Sequence, residues 1–272
     1  THEILLPNLG FLWKVKNNKI RKKCYDIYNL YTEEVRKSQL KKNFTIIPII
    51  FGNSPKEIFK SLLDTLKITN CSSFALVIDM NQIWKLLEKY DDKNTINFFK
   101  LINKLKIPII LHANGTMIKR KFFREYTTKH TLFCINAMEL FIELFLRGFF
   151  DRYRNIRFIF SEVGLSWVNQ IYYKLLYYSK RFKSLDNLHH LKRDIGDVFK
   201  KNVLLTFTTE IPDKQTLEIL SKKNIMFGSD FPHNESFYPN TSSFLTKIKK
   251  KFKNDHHSFL KNNAIKNYNL KI

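Results

Sequence analysis

Cysteine is scarce in this chain of 272 residues: Cys24, Cys71 and Cys134 are the only three. An odd number spread so far apart argues against a disulfide framework and against a cysteine-type zinc site, so a reducing, cytoplasmic setting is the simpler expectation. Long apolar runs are lacking too. None reaches the ~18 residues that cross a bilayer, and no basic segment followed by an apolar stretch begins the chain as a secretory leader would. A soluble protein with no membrane partner is expected. Glycine and proline number seven each and nowhere gather into a linker, which leads to one domain over residues 1–272. Acidic residues are also few, 24 Asp and Glu against 47 Lys and Arg, for a formal charge of +23. Such an excess marks nucleic-acid binders when the basic residues cluster and release counterions from phosphate. Here they are spread along every helical stretch, without an Arg-rich block or a Gly-rich arm. The densest run, Lys247 to Lys253, fits the solvated face of one amphipathic helix. The charge is read as drift towards Lys and Asn, and no nucleic-acid partner is expected.

What the chain does have is regular alternation. Short β-branched or aromatic runs recur, each followed by a stretch of helical period. The runs are Ile4 to Leu6, Phe44 to Phe51, Phe74 to Ile78, Ile107 to His112, Ile156 to Glu162, Val203 to Thr208 and Ile225 to Asp230. Helices are expected near 22–42, 54–67, 93–105, 131–150, 165–182, 213–222 and 241–253, with Ser54-Pro55 and Pro212-Asp213 as starts. Strands separated by helices imply a parallel sheet. A doubly wound sheet accommodates the count, but Pro7-Asn8-Leu9-Gly10 is no dinucleotide fingerprint. A TIM-type (β/α)8 barrel has eight strands. The expected fold is therefore an α/β barrel lacking its first strand.

Two of the runs end alike. Ile225-Met226-Phe227-Gly228-Ser229-Asp230-Phe231-Pro232-His233 stops at a carboxylate, with a histidine three residues on, and Ile107 to His112 stops at an imidazole before Ala113-Asn114-Gly115. In a barrel, strand C-termini open into one mouth, where a rigidly held polar group faces ligand. The bland alternative for the first is a Gly-Ser-Asp turn capping a helix.

These motifs, with the block Gly148-Phe149-Phe150-Asp151-Arg152-Tyr153 to Glu162-Val163-Gly164 and the closing Asn263-Ala264-Ile265-Lys266-Asn267-Tyr268, resemble the amidohydrolase-related family of metal-dependent hydrolases and decarboxylases. The resemblance covers nearly the whole chain. It implies a divalent metal, zinc foremost and manganese second, held by a His-x-His or Glu-x-His pair on strand one, a His ending strand five, often a His ending strand six, and an Asp ending strand eight. His112 matches the strand-five ligand and Asp230 the strand-eight carboxylate, which in such sites both touches metal and handles a proton. Glu162 stands where strand six usually has His; a carboxylate there can ligate, orient a neighbour or bind no metal.

The strand-one pair has no counterpart, since His2-Glu3-Ile4 lies at the start of the second strand. With Thr1 rather than Met first, the expectation is a fragment of a longer protein, a split gene product or a paralogue that has lost its metal. The resemblance implies an enzyme acting on a small carboxylate or carbonyl substrate, by hydrolysis or by non-oxidative decarboxylation, with His233 assisting Asp230; a homodimer is compatible with it. The alternative is a catalytically inactive barrel kept for binding or assembly. Of the other polar residues, Asn114 and Gly115 are read as turn formers, Trp167 as packing at a helix start, His189-His190 and His256-His257 as surface, and Glu210 as a residue able to reach the mouth.

Overall fold

In the computed structural model of the chain, residues 2–7, 15–69, 75–112 and 126–270 are described. Phe74, Cys71, Asn114 and Gly115 lie outside them. Two compact units make up the chain, Thr1–Phe122 with Tyr268–Ile272, and Phe123–Asn267. Among the described residues no helix is long and apolar enough to cross a membrane.

The first unit alternates as expected. It contains β1 (Glu3–Leu5), α1 (Asn18–Lys37), β2 (Phe44–Ile46), β3 (Ile49–Ile50), α2 (Pro55–Thr69), β4 (Leu76–Asp79), α3 (Met80–Glu88), α4 (Lys93–Leu105) and β5 (Ile109–His112). All its ladders are parallel: β1 with β2, β3 with β4, and β4 with β5. The run expected as one strand over Phe44 to Phe51 is divided by Pro48, whose nitrogen has no hydrogen to donate. On one side of the break the Ile47 amide donates to the Leu5 carbonyl, and on the other the Pro48 carbonyl accepts from the Val77 amide. The strand thus changes neighbour at the proline. Asn29 of α1 bridges the gap by accepting from the Ile49 amide and donating to the Ile49 carbonyl, each at 2.9 Å.

The expected start at Ser54-Pro55 is present: Pro55 begins α2 and the Ser54 hydroxyl accepts from the Glu57 amide at 3.3 Å. Helix α3 has no counterpart in the sequence reading. Asp79 both ends β4 and caps α3 by accepting from the Asn81 amide, so no Gly or Pro punctuates the passage from strand to helix. The period is visible in hindsight at Ile83, Leu86 and Leu87, all buried.

The second unit contains α5 (Tyr126–Thr131), α6 (Phe133–Leu146), α7 (Phe149–Arg152), β6 (Phe158–Ser161), α8 (Trp167–Arg181), α9 (Ile195–Asn202), β7 (Val203–Phe207), α10 (Lys214–Leu220), β8 (Ile225–Phe227), α11 (Thr241–Phe252) and α12 (Asn263–Asn267). Strand β7 lies between β6 and β8, parallel to both. The helix expected over 131–150 is broken at Gly148, which turns the chain with φ +66° and ends α6 before α7. An aromatic core fills this unit: Phe141 meets Phe199 at 4.5 Å and Trp167 at 6.1 Å, and Trp167 meets Phe160 at 5.5 Å between ring centres. Burying rings of this size is the main apolar gain of the unit.

The asparagines, read from composition as drift, carry structure. Asn202 is fully buried and donates to the carbonyls of Arg154 and Ile156 just before β6. Asn224 donates to the Val203 carbonyl at the start of β7, and Asn263 to the Ile225 carbonyl at the start of β8. Each amide satisfies carbonyls that a strand entering from a turn leaves unpaired.

Candidate active site

In the second unit, Glu162 directly follows β6 and Asp230 follows β8 by three residues. Both occupy the left-handed backbone region, at φ +62° and +55°. An L residue, and a glutamate more than an aspartate, adopts that region at a cost, and such strain gathers where a side chain must be aimed. The two carboxylates and the His233 ring offer ligand atoms that all lie within 4.8 Å of one another. The Nδ1 atom of His233 is 2.8 Å from Oδ1 of Asp230, and the His233 amide donates to the Asp230 carbonyl at 2.9 Å. The carboxyl of Asp230 is pushed up to about 6, first by burial and then by the charge of Glu162, with His233 opposing the shift. Two acids crowded together with an imidazole form an incompletely compensated set that a divalent cation suits by charge and by ligand type.

The neighbouring loop is held from behind. Glu210 accepts from the Leu165 amide at 2.5 Å, so it braces the turn after Glu162. Gly164 is required there: its φ is +70°, and a Cβ would lie 2.8 Å from the Glu210 carboxylate. Trp167 packs at the start of α8 as expected, 2% exposed, with its indole N–H donating to the Gly164 carbonyl. An ion pair between His130 and Glu235 ties α5 to the loop after β8. His189 and His190 are exposed. The ring nitrogens of His190 lie 3.2 and 2.8 Å from the carbonyl oxygens of Asn187 and Leu146. The rings of His256 and His257 lie 4.0 Å apart between centres, tilted by 36°.

In the first unit, His112 ends β5 as expected, and in register beside it stands Asp79, the last residue of β4. Asp79 escaped the sequence reading. It carries the same signal that singled out Asp230, an apolar strand stopping at a carboxylate, but it runs straight into a helix and resembles a cap. Only 2% of Asp79 is exposed. Burial pushes its carboxyl up to about 7, against the Asn81 hydrogen bonds and the charge of His112. Its Oδ1 accepts from the Asn81 amide at 2.6 Å, whereas Oδ2 has no hydrogen-bond partner among the described residues.

Comparison with known proteins adds the family. The amidohydrolase family model matches residues 17–270. The chain belongs to the amidohydrolase family. Among solved structures it is similar to 5-carboxyvanillate decarboxylase from Sphingomonas paucimobilis, with a TM-score of 0.77 and 16% identity over 99% of this chain and 79% of that one. It is also similar to the 5-carboxyvanillate decarboxylase of Novosphingobium aromaticivorans complexed with manganese and 4-hydroxy-3-methoxy-5-nitrobenzoic acid, with a TM-score of 0.75 and 14% identity over 99% and 76%. A third is a 2,6-dihydroxybenzoate decarboxylase complexed with 2,6-dihydroxybenzoate, with a TM-score of 0.65 and 15% identity over 94% and 80%. No curated protein sequence matches. At such identities the likeness is one of fold, the α/β barrel class that the strand and helix order had led to, and membership brings the metal-dependent hydrolases and decarboxylases as functional class.

Proposed function

We propose that this amidohydrolase family member is a metal-dependent carboxy-lyase acting on a small carboxylate, with hydrolysis of a carbonyl substrate as the second reading. The observation that carries it is the Glu162, Asp230 and His233 cluster, in which a buried acid with a raised affinity for its proton is hydrogen-bonded to a half-exposed imidazole. Glu162 and Asp230 would hold a zinc or manganese ion, with the His233 ring set against Asp230, and the metal-ligand role that the resemblance gives His112 is a separate proposal for the first unit. When bound, such an ion supplies Lewis acidity that polarises the substrate carboxylate or carbonyl.

The chain's own groups handle the proton. In decarboxylation the bond between the substrate carbon and its carboxylate breaks, carbon dioxide leaves, and the electron pair left on carbon takes the proton of the Asp230 carboxyl. A carboxyl titrating near 6 both gives and regains a proton close to neutral pH. The His233 ring, with 44% of its side chain exposed, links Asp230 to water and resupplies that proton. For hydrolysis the same Asp230 takes a proton from the attacking water.

The experiment is to screen small aromatic and aliphatic carboxylates with the manganese- and zinc-loaded chain, following carbon dioxide release, beside Asp230→Asn. Release that falls at least ~100-fold in the variant is the expected result, the typical size of a general acid contribution. Hydrolysis of esters, lactones or amides without carbon dioxide release selects the second reading. A chain that binds neither metal and loses nothing on Asp230→Asn refutes both.

A further inference from the structure

Three residues form one row across the ends of parallel strands in the first unit. Ile50 pairs with Ile78 and Asp79 with His112, so Phe51, Asp79 and His112, each one step along or in register, come side by side. Residues in register on neighbouring parallel strands sit about 4.8 Å apart and project from the same face of the sheet. The Asp79 carboxylate and the His112 imidazole are therefore neighbours on one surface. Behind them the Tyr25 ring stacks on Phe51 at 4.5 Å.

The cap of α3 accounts for half of the Asp79 carboxylate. Capping uses one oxygen, and Ser, Thr or Asn provides it without bringing a charge into the interior. Among the described residues the other oxygen, Oδ2, is buried without a hydrogen-bond partner, and so is the hydroxyl of Tyr25. A carboxylate oxygen in that state calls for an occupant, either water or an ion. The neighbouring group selects between them. A carboxylate oxygen beside a strand-end imidazole makes a mixed oxygen and nitrogen pair, the kind taken by manganese and zinc.

We propose that Asp79 is a metal ligand, giving Oδ2 to a divalent cation that His112 also binds. The inference rests on the metal-dependent reading above and adds to it a ligand that the family pattern does not contain. The pair leaves coordination positions for other groups. Asp79 thus has two tasks divided between its oxygens, Oδ1 holding the first turn of α3 and Oδ2 holding the ion.

The test separates those tasks. Asp79→Asn retains a capping oxygen and removes the anionic ligand, and Asp79→Ser, also a good cap, stands in for it should the Asn variant fail to fold. The metal-free chain of 272 residues is titrated calorimetrically with manganese chloride and with zinc chloride, as wild type, Asp79→Asn, Asp79→Ser and Asp230→Asn. The electron paramagnetic resonance spectrum of the bound manganese is recorded alongside. The expected result is that Kd rises at least ~10-fold in the Asp79 variants, the lower bound for loss of a group that supports a metal, with an altered manganese spectrum. Each metal-free variant should still melt in one cooperative transition, so that a change in Kd reports the lost ligand and not a lost fold. If the Asp79 variants bind as wild type does while Asp230→Asn loses affinity, the inference alone is overturned and Oδ2 belongs to a water. If wild type binds neither ion, the metal-dependent reading falls and this inference with it.

Discussion

Asp230→Asn should stabilise the metal-free protein above neutral pH while weakening its hold on metal. In the folded chain the Asp230 carboxyl titrates at about 6 instead of 3.8, because it is buried beside Glu162. A shift of ~2 units corresponds to about 3 kcal/mol, and with 9% of the side chain exposed solvent screening takes little from it. The folded value is raised, so the favourable contribution is complete below about 3.8 and is lost as pH rises through about 6. Chelated wild type should thus lose up to about 3 kcal/mol between pH ~4 and pH ~7 through this group, whereas the asparagine variant has no proton to lose. Asparagine also tolerates the left-handed backbone at this position. Loss of the half-exposed His233 contact subtracts at most ~1 kcal/mol. Urea denaturation in chelator at pH 5 and pH 8 measures the difference: a gain for the variant of about 1 kcal/mol at pH 5, where the unfolded chain is already ionised, and of about 2–3 kcal/mol at pH 8. A stability difference that is the same at both pH values refutes the crowded-carboxylate account of the site.

Other perturbations follow from the same contacts. Asn202→Ala leaves the carbonyls of Arg154 and Ile156 without their buried donor and should cost about 2–4 kcal/mol in urea denaturation at any pH between 6 and 8. Gly164→Ala meets both a φ of +70° and the Glu210 carboxylate. It should cost about 1–3 kcal/mol and weaken manganese binding by displacing Glu162, as read by calorimetry. His112→Ala should lower the manganese or zinc content per chain in elemental analysis; an unchanged content removes His112 from the ligands. Despite the net charge of +23, the chain should show no retention of single-stranded DNA or RNA at low salt, because its Lys residues are dispersed; retention that falls steeply with salt would overturn that expectation.

The fold class was legible in the sequence because barrel strands and helices alternate with different periods of hydrophobicity, and those periods are local. The ends of the strands were legible only approximately: His112 closes β5, but Glu162 lies one residue past β6 and Asp230 three past β8, both with a left-handed backbone. Composition was a poorer guide. Asn29, Asn202, Asn224 and Asn263 look like any others in an Asn-rich chain, and only packing reveals that their amides satisfy the carbonyls and amides at strand starts.

Asp79 was hidden because one residue serves two elements, and a strand that becomes a helix without a turn offers no punctuation to read. Helix α3 was lost with it, and α9 likewise, where Asp194 caps a helix of eight residues that runs directly into β7. The division of the run at Pro48 depends on which neighbour each amide and carbonyl meets. Sequence by itself determined the alternation of strands and helices and which polar residue types stand near most strand ends, since both follow from local pattern and residue type. Only the tertiary structure decided that Glu162, Asp230 and His233 converge, that Glu210 braces a loop, and that Asp79 stands beside His112. Distance, burial and register between residues far apart in sequence are properties of the packed chain.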